Sequence, residues 1–333
     1  MTSTRGLRSP RTLFALTFCV VLALALCLFV ALSASPAAAQ SFDRMVVFGD
    51  SLSDPGNHFV AFGIASHAPY VPLPDFPYAI GGHHFSNGAT WVEQLGNALD
   101  MPASGKPALR QPGVFTNYAV GRARARADAP AFPQFDLSTQ LGRFLLDFRG
   151  QAPSTALYVM WIGANDLDDA LNAGLTGTGD PAAIGEAAVT AVAGNGYALC
   201  AAGARNFLVP NIPDPVLAPF VRAGVPPAFW PVVTQAAITF NSSIDQALNA
   251  VSALCPIQVV RFDVNAVLQR VVSEPGEAGL TNVTDPCLTF GVVAGAICSR
   301  PNRHLFWDGA HPTRAGHHLI GEAALRLLQE LGE

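Results

Sequence analysis

Gly49-Asp50-Ser51-Leu52 follows directly on the apolar run Met45-Val46-Val47-Phe48, and Asp308-Gly309-Ala310-His311-Pro312 stands far downstream. Between them the two motifs supply a serine, a histidine and a carboxylate three residues before it. A hydroxyl is a poor nucleophile at neutral pH until a base takes its proton, and that base works best when a carboxylate fixes its tautomer. In the chemical reading Ser51 attacks, His311 accepts the proton through Nε2, and Asp308 folds back to receive the Nδ1 proton. The same residues also suit plain turn chemistry, with Asp308, Pro312 and Thr313 starting a helix. The two readings are compatible. A tetrahedral oxyanion would need donors held ready, and the Ser51 N–H, the Gly121 N–H and the Asn165 amide are the candidates.

Those residues need a scaffold that brings them to one edge. Short apolar runs at 44–49, 115–119, 156–162, 207–211 and 258–262 lack clean alternation, as strands covered on both faces do. Stretches with helical spacing lie between them at 87–99, 137–148, 182–202, 227–254 and 313–331. Alternating strands and helices predict an α/β protein, a three-layer α/β/α sandwich with a central five-stranded parallel sheet. Ligands bind beyond the carboxyl ends of such strands. Ser51 follows the first strand, where it would meet the positive end of a helix dipole, Gly121 the second, and Asn165 the third, in a loop. No repeat, linker or composition break follows residue 40, so residues 40–333 are expected to form one catalytic domain.

The chain has 333 residues, 50% of them hydrophobic and 13% charged. Residues 1–39 carry Arg5, Arg8 and Arg11, then an apolar run, then Ala37-Ala38-Ala39. This is the pattern of a secretory signal peptide with cleavage after Ala39, although the apolar run approaches the ~20 residues of a membrane anchor. Beyond it no comparable run occurs, so no stable membrane span is expected. The remaining chain holds 16 basic and 24 acidic residues, a formal charge of −8, which argues against a nucleic-acid partner. Arg122, Arg124 and Arg126 form the one basic concentration and read as an exposed edge of a strand or loop. Cys200, Cys255, Cys287 and Cys298 form an even set suited to disulfides in an exported protein. Cys287 and Cys298 close a short loop and are the expected pair, leaving Cys200 with Cys255. Without a Cys-x-x-Cys spacing, a zinc site is the weaker reading.

Taken together, the motifs resemble the GDSL family of serine hydrolases, also called SGNH hydrolases. The resemblance runs through Val47 to Asn57, Phe85-Ser86-Asn87-Gly88, Asn117-Tyr118-Ala119-Val120-Gly121, Gly163-Ala164-Asn165-Asp166, Gly203-Ala204-Arg205 with Val209-Pro210-Asn211-Ile212-Pro213, Phe240-Asn241 and Phe306 to Thr313. It implies a flavodoxin-like SGNH fold and an esterase or lipase, secreted or periplasmic, needing no metal or organic cofactor. It further implies Ser51 as nucleophile, His311 as base, Asp308 as its partner, and Ser51, Gly121 and Asn165 as oxyanion donors. Many members have two small residues where this chain has Gly121-Arg122, so either N–H is a candidate there. The absence of Gly-x-Ser-x-Gly argues against an α/β-hydrolase elbow. An acyltransferase acting on lipid, sterol or sugar would use the same site, and a non-catalytic binding protein on this scaffold is a third reading. A monomer acting on a small-molecule, lipid or carbohydrate ester is expected.

The remaining polar residues have plainer readings. Asp50, Asp54 and Asp166 suggest a metal by type, but Asp50 and Asp54 are expected to hold the turn through backbone hydrogen bonds. His83-His84 and His317-His318 are expected at surface or cap positions, and Asp168 and Asp169 ahead of a following helix. The segments 58–84 and 287–298 are the expected specificity loops, with Phe59, Phe62, Tyr70, Phe76 and Tyr78 either lining a pocket or packing on each other.

Overall fold

The computed structural model describes residues 42–72, 75–127 and 135–331. The expected signal peptide lies outside the described residues. Phe42–Leu327 make one compact unit, and of the other, Met1–Ser41 with Leu328–Glu333, only residues 328–331 are described. In chain order the strands and α-helices are β1 (Met45–Gly49), α1 (Asn57–Phe62), α2 (Trp91–Ala98), α3 (Leu137–Asp147), β2 (Leu157–Trp161), α4 (Ala164–Thr176) and α5 (Pro181–Ala202). β3 (Asn206–Pro210), α6 (Pro219–Gly224), α7 (Trp230–Leu254), β4 (Gln258–Phe262), α8 (Val264–Ser273), β5 (Asn282–Pro286), β6 (His304–Phe306) and α9 (Arg314–Glu330) follow.

β1 to β4 form a parallel sheet in that spatial order. Successive residues of a strand face opposite sides, and the aromatic side chains obey that rule. Phe48 and Tyr158 meet Phe144 of α3 on one face. On the other, Trp161 and Phe262 meet Trp91 of α2, whose Gly96 lies against the Met45 methyl. Helices thus cover both faces, which is the predicted three-layer arrangement. Each large side chain buried this way contributes roughly 1.5–3 kcal/mol. Capping fixes where the helices begin: the Asp136 side chain accepts the Thr139 N–H at 2.7 Å, and Pro181 opens α5 behind Asp180.

The sheet has four regular strands among the described residues, not five. Residues 116–120 run along the free edge of β1 and hydrogen-bond to Val47 and Gly49, but form only an isolated bridge. Their outward carbonyls go elsewhere: the Asn57 amide donates to Asn117 O and Ala119 O, and Asn117 also pairs with the 106–108 segment. A side chain and a loop therefore cap the edge where a further ladder would start. Counted with this segment, the spatial order reverses direction at β1, the kind of switch point beside which ligands bind in open α/β sheets. The short pair β5-β6 lies outside this sheet and leads into the 307–311 turn, which the Trp307 N–H closes on His311 O at 2.8 Å.

Candidate active site

Ser51 sits in a tight turn after β1, with the Ser53 N–H on Asp50 O at 3.1 Å. The expected helix dipole is absent there, because α1 starts six residues later and has only six residues. Gly49 is required by close approach: a Cβ on it would lie 2.6 Å from Trp161 O. Three acids were grouped by type in the sequence, and each holds backbone. Asp50 accepts the Leu52 N–H, and Asp166 accepts the N–H groups of Ala125 and Arg126. Asp54 accepts four, from Gly56, Asn57, His58 and Gly121. Burial is the main cause lifting Asp50 and Asp54 to about 6, against the hydrogen bonds that pull them down.

The far motif forms its own turn. Asp308 Oδ1 accepts the N–H groups of Ala310 and His311, both at 2.8 Å, and Thr313 Oγ1 caps α9 by accepting the Gly316 N–H. His311 Nδ1 lies 2.8 Å from Asp308 Oδ2, and Nε2 lies 2.9 Å from Ser51 Oγ. Burial favours neutral forms for both groups, yet their mutual attraction prevails. The His311 charge and the donated hydrogen bonds hold Asp308 below the usual carboxylate range, and the Asp308 charge, helped by Asp50, raises His311. An imidazole so placed can take a proton from the hydroxyl while its positive charge is compensated.

Two of the expected oxyanion donors stand in settings other than those expected. Asn165 is in the first turn of α4 and not in a loop, and its amide donates to Ala123 O at 2.9 Å. An amide has two N–H donors, so this bond fixes the side chain while using one of them. Gly121 donates its N–H to Asp54 Oδ2 at 2.8 Å, which shifts the backbone candidate to Arg122. Gly121 remains necessary for space, since a Cβ on it would lie 2.1 Å from the Phe85 ring. Arg122 adopts φ 69°, a left-handed conformation that glycine would take more readily, and its guanidinium pairs with Asp75.

The arginine cluster is not an exposed edge. Arg124 and Arg126 are buried and pair with Asp169 and Asp166. Asp168 and Asp169 lie within α4 rather than ahead of a helix. His84 and His317 are also buried instead of superficial, while His318 stays on the surface beside Glu322. Burial, with repulsion from His311 and His84, pushes His317 down to about 3. The aromatic loop packs largely on itself: Phe59 stacks on His83, and Phe62 and Phe76 gather around His58. Tyr70 and Tyr78 are in a buried cluster with Trp307, Cys287 and Leu288. Sequence reasoning missed what Tyr78 does there, since its hydroxyl donates to Asp308 Oδ2 at 2.7 Å. Cys287 is bonded to Cys298 and Cys200 to Cys255.

A profile described as GDSL-like Lipase/Acylhydrolase matches residues 45–324. The thermolabile hemolysin of Vibrio parahaemolyticus is 26% identical, the match covering 88% of this chain and 66% of that protein. Acetylajmalan esterase 2 of Rauvolfia serpentina is 25% identical, covering 87% and 91%. A phosphatidylcholine-sterol acyltransferase of Aeromonas hydrophila is 24% identical, also covering 87% and 91%. The chain thus spans just under two thirds of the hemolysin's length.

Proposed function

This chain belongs to the GDSL-like lipase/acylhydrolase family, and on that footing we propose that it is an exported hydrolase of carboxylic esters. Ser51 Oγ attacks the acyl carbonyl as its proton passes to His311 Nε2. The tetrahedral oxyanion is received by the Ser51 N–H, the Asn165 amide and the N–H at the 121–122 turn, for which Arg122 is the better candidate. Collapse of that intermediate expels the alkoxide, which takes the proton from His311, and leaves an acyl group on Ser51. Water repeats the cycle with His311 as base and releases the acid. Asp308 keeps Nδ1 protonated and offsets the imidazolium charge throughout.

The observation that carries this reading is the unbroken line from Ser51 Oγ to His311 Nε2 at 2.9 Å and from Nδ1 to Asp308 at 2.8 Å. Export is supported by the amino-terminal sequence pattern and the two disulfides, which persist in oxidising compartments. Ser51→Ala is expected to abolish turnover of short aryl esters with the circular dichroism spectrum unchanged, and a serine-reactive phosphonate to label Ser51. Retained turnover, or labelling at another residue, would sink the assignment.

The acyltransferase among its relatives favours one further possibility, an alcohol in place of water at the second step. Product analysis with an added alcohol separates the two: an ester product supports transfer, and free acid alone supports hydrolysis.

A further inference from the structure

Asp308 is wholly buried and receives more donors than a two-residue relay requires. Its Oδ1 takes the backbone N–H groups that come with the turn. Its Oδ2 faces His311 Nδ1 and also receives the Tyr78 hydroxyl, from a residue 230 positions away. A buried phenol needs an acceptor, and this one has a carboxylate. Burial first, and then the Asp308 charge, push the phenol far above its ordinary range, so it stays a donor at any working pH.

Tyr78 is held on several sides. Its N–H donates to His84 O at 2.9 Å, and its neighbours Pro77 and Ala79 both pair with the Ser66 backbone. Its ring meets Trp307 edge-on at 5.7 Å and Tyr70 at 5.6 Å. The loop closed by Cys287–Cys298 braces the same cluster, since Leu288 N–H donates to Trp307 O and Gly291 N–H to Tyr70 O, both at 2.8 Å. Trp307 precedes Asp308, so this brace reaches the carboxylate from both its own backbone and the phenol.

We propose that Tyr78 is a positioning residue for the relay: its hydroxyl fixes Asp308 Oδ2 toward His311 and tempers the basicity of that carboxylate. The proposal rests on the roles given above to Ser51, His311 and Asp308. Removing a donor leaves the carboxylate charge less stabilised, so His311 holds its proton to higher pH. The other titratable groups acting on His311 are Asp50, from the turn after β1, and His317, from α9; Tyr70 is the one beside Tyr78.

Tyr78→Phe keeps the ring and removes only the hydroxyl. The acid limb of kcat/KM on an aryl ester should move up by roughly half to one pH unit, while the alkaline plateau keeps most of its height. A limb that stays in place or moves down overturns the proposal, whatever the plateau does. Titration of the His311 ring protons by NMR in Ser51→Ala, with and without Tyr78→Phe, reads the same shift without any turnover. An unchanged His311 titration also overturns the role of Tyr78. Undiminished turnover by Ser51→Ala would instead overturn the reading of the site, so the two failures are separable.

Discussion

Arg124 holds Asp169 through two parallel hydrogen bonds, Nε to Oδ2 at 3.0 Å and Nη2 to Oδ1 at 2.8 Å. Arg126 adds a bond to Asp169 and one to Asp166, and Arg124 Nη1 reaches back to Arg122 O at 2.7 Å. The segment 122–126 is thereby tied to the first turns of α4, the helix that bears Asn165. Burial opposes the Asp169 charge, but the two guanidinium groups hold its carboxyl below the usual range, so the pairing stays ionic.

Breaking that tie should loosen the proposed oxyanion donors without touching the proposed nucleophile. Asp169→Asn is expected to lower kcat on aryl esters by roughly 10- to 100-fold, less than outright loss of a donor, with KM nearly unchanged. Breaking a buried pair should also cost about 3 kcal/mol of stability, read by urea unfolding. A rise in KM at constant kcat would instead assign the pair to substrate binding.

Around the His311 titration, activity and the stabilising effect of His311 should run in opposite directions with pH. Only neutral His311 can accept the Ser51 proton, and its pKa is raised above 6.5, so the acid limb of kcat/KM should lie above pH 6.5. Because the folded pKa of His311 is raised, its stabilising effect is complete below pH 6.5 and is lost as pH rises through the folded value. Asp308, depressed below 3.8, contributes above that pH and loses its effect as pH falls through its folded value. The pair should therefore stabilise the fold most between about pH 3.8 and 6.5, where His311 is protonated and cannot serve as base. Thermal midpoints of wild type and His311→Asn measured across pH should differ most in that window, and a limb at or below pH 6.5 would contradict the assignment.

The two disulfides should have separable effects. Cys200–Cys255 ties α5 to the end of α7, and its loss by double alanine substitution should cost about 2–4 kcal/mol with kcat retained at 25 °C. Cys287–Cys298 braces the cluster around Tyr78 and Trp307, so its loss should also lower kcat. Equal kinetic effects of the two pairs would remove this distinction.

Local patterns carried most of the scaffold. β1 to β4 are mostly apolar segments, β4 with Gln258 and Arg261 among its residues, and the five expected helices differ from the observed ones by a few residues at most. The 115–119 run looked the same and does hydrogen-bond along β1, but it forms only an isolated bridge there, while the distant Asn57 side chain takes up the carbonyls on its outer edge. Helix α4 was hidden because Gly163-Ala164-Asn165-Asp166 reads equally well as a turn. The serine, histidine and aspartate were legible because each sits in a short motif with its own turn chemistry. What escaped depended on partners far away in the sequence. Arg124 and Arg126 look solvated until Asp166 and Asp169 are placed beside them, and nothing in the period of residues 64–84 points Tyr78 at a carboxylate 230 positions on.

The separation of 260 positions between Ser51 and His311 also sets the order in which the proposed activity can arise. A chain emerging from its amino end presents the hydroxyl first, and the imidazole joins it only after β2, β3, β4 and the turn beyond β6 have been made. On the proposed mechanism Ser51 would until then lack its base and could not be acylated. The growing chain would in this way be inert toward esters, with turnover starting only once folding has brought the 308–311 turn home.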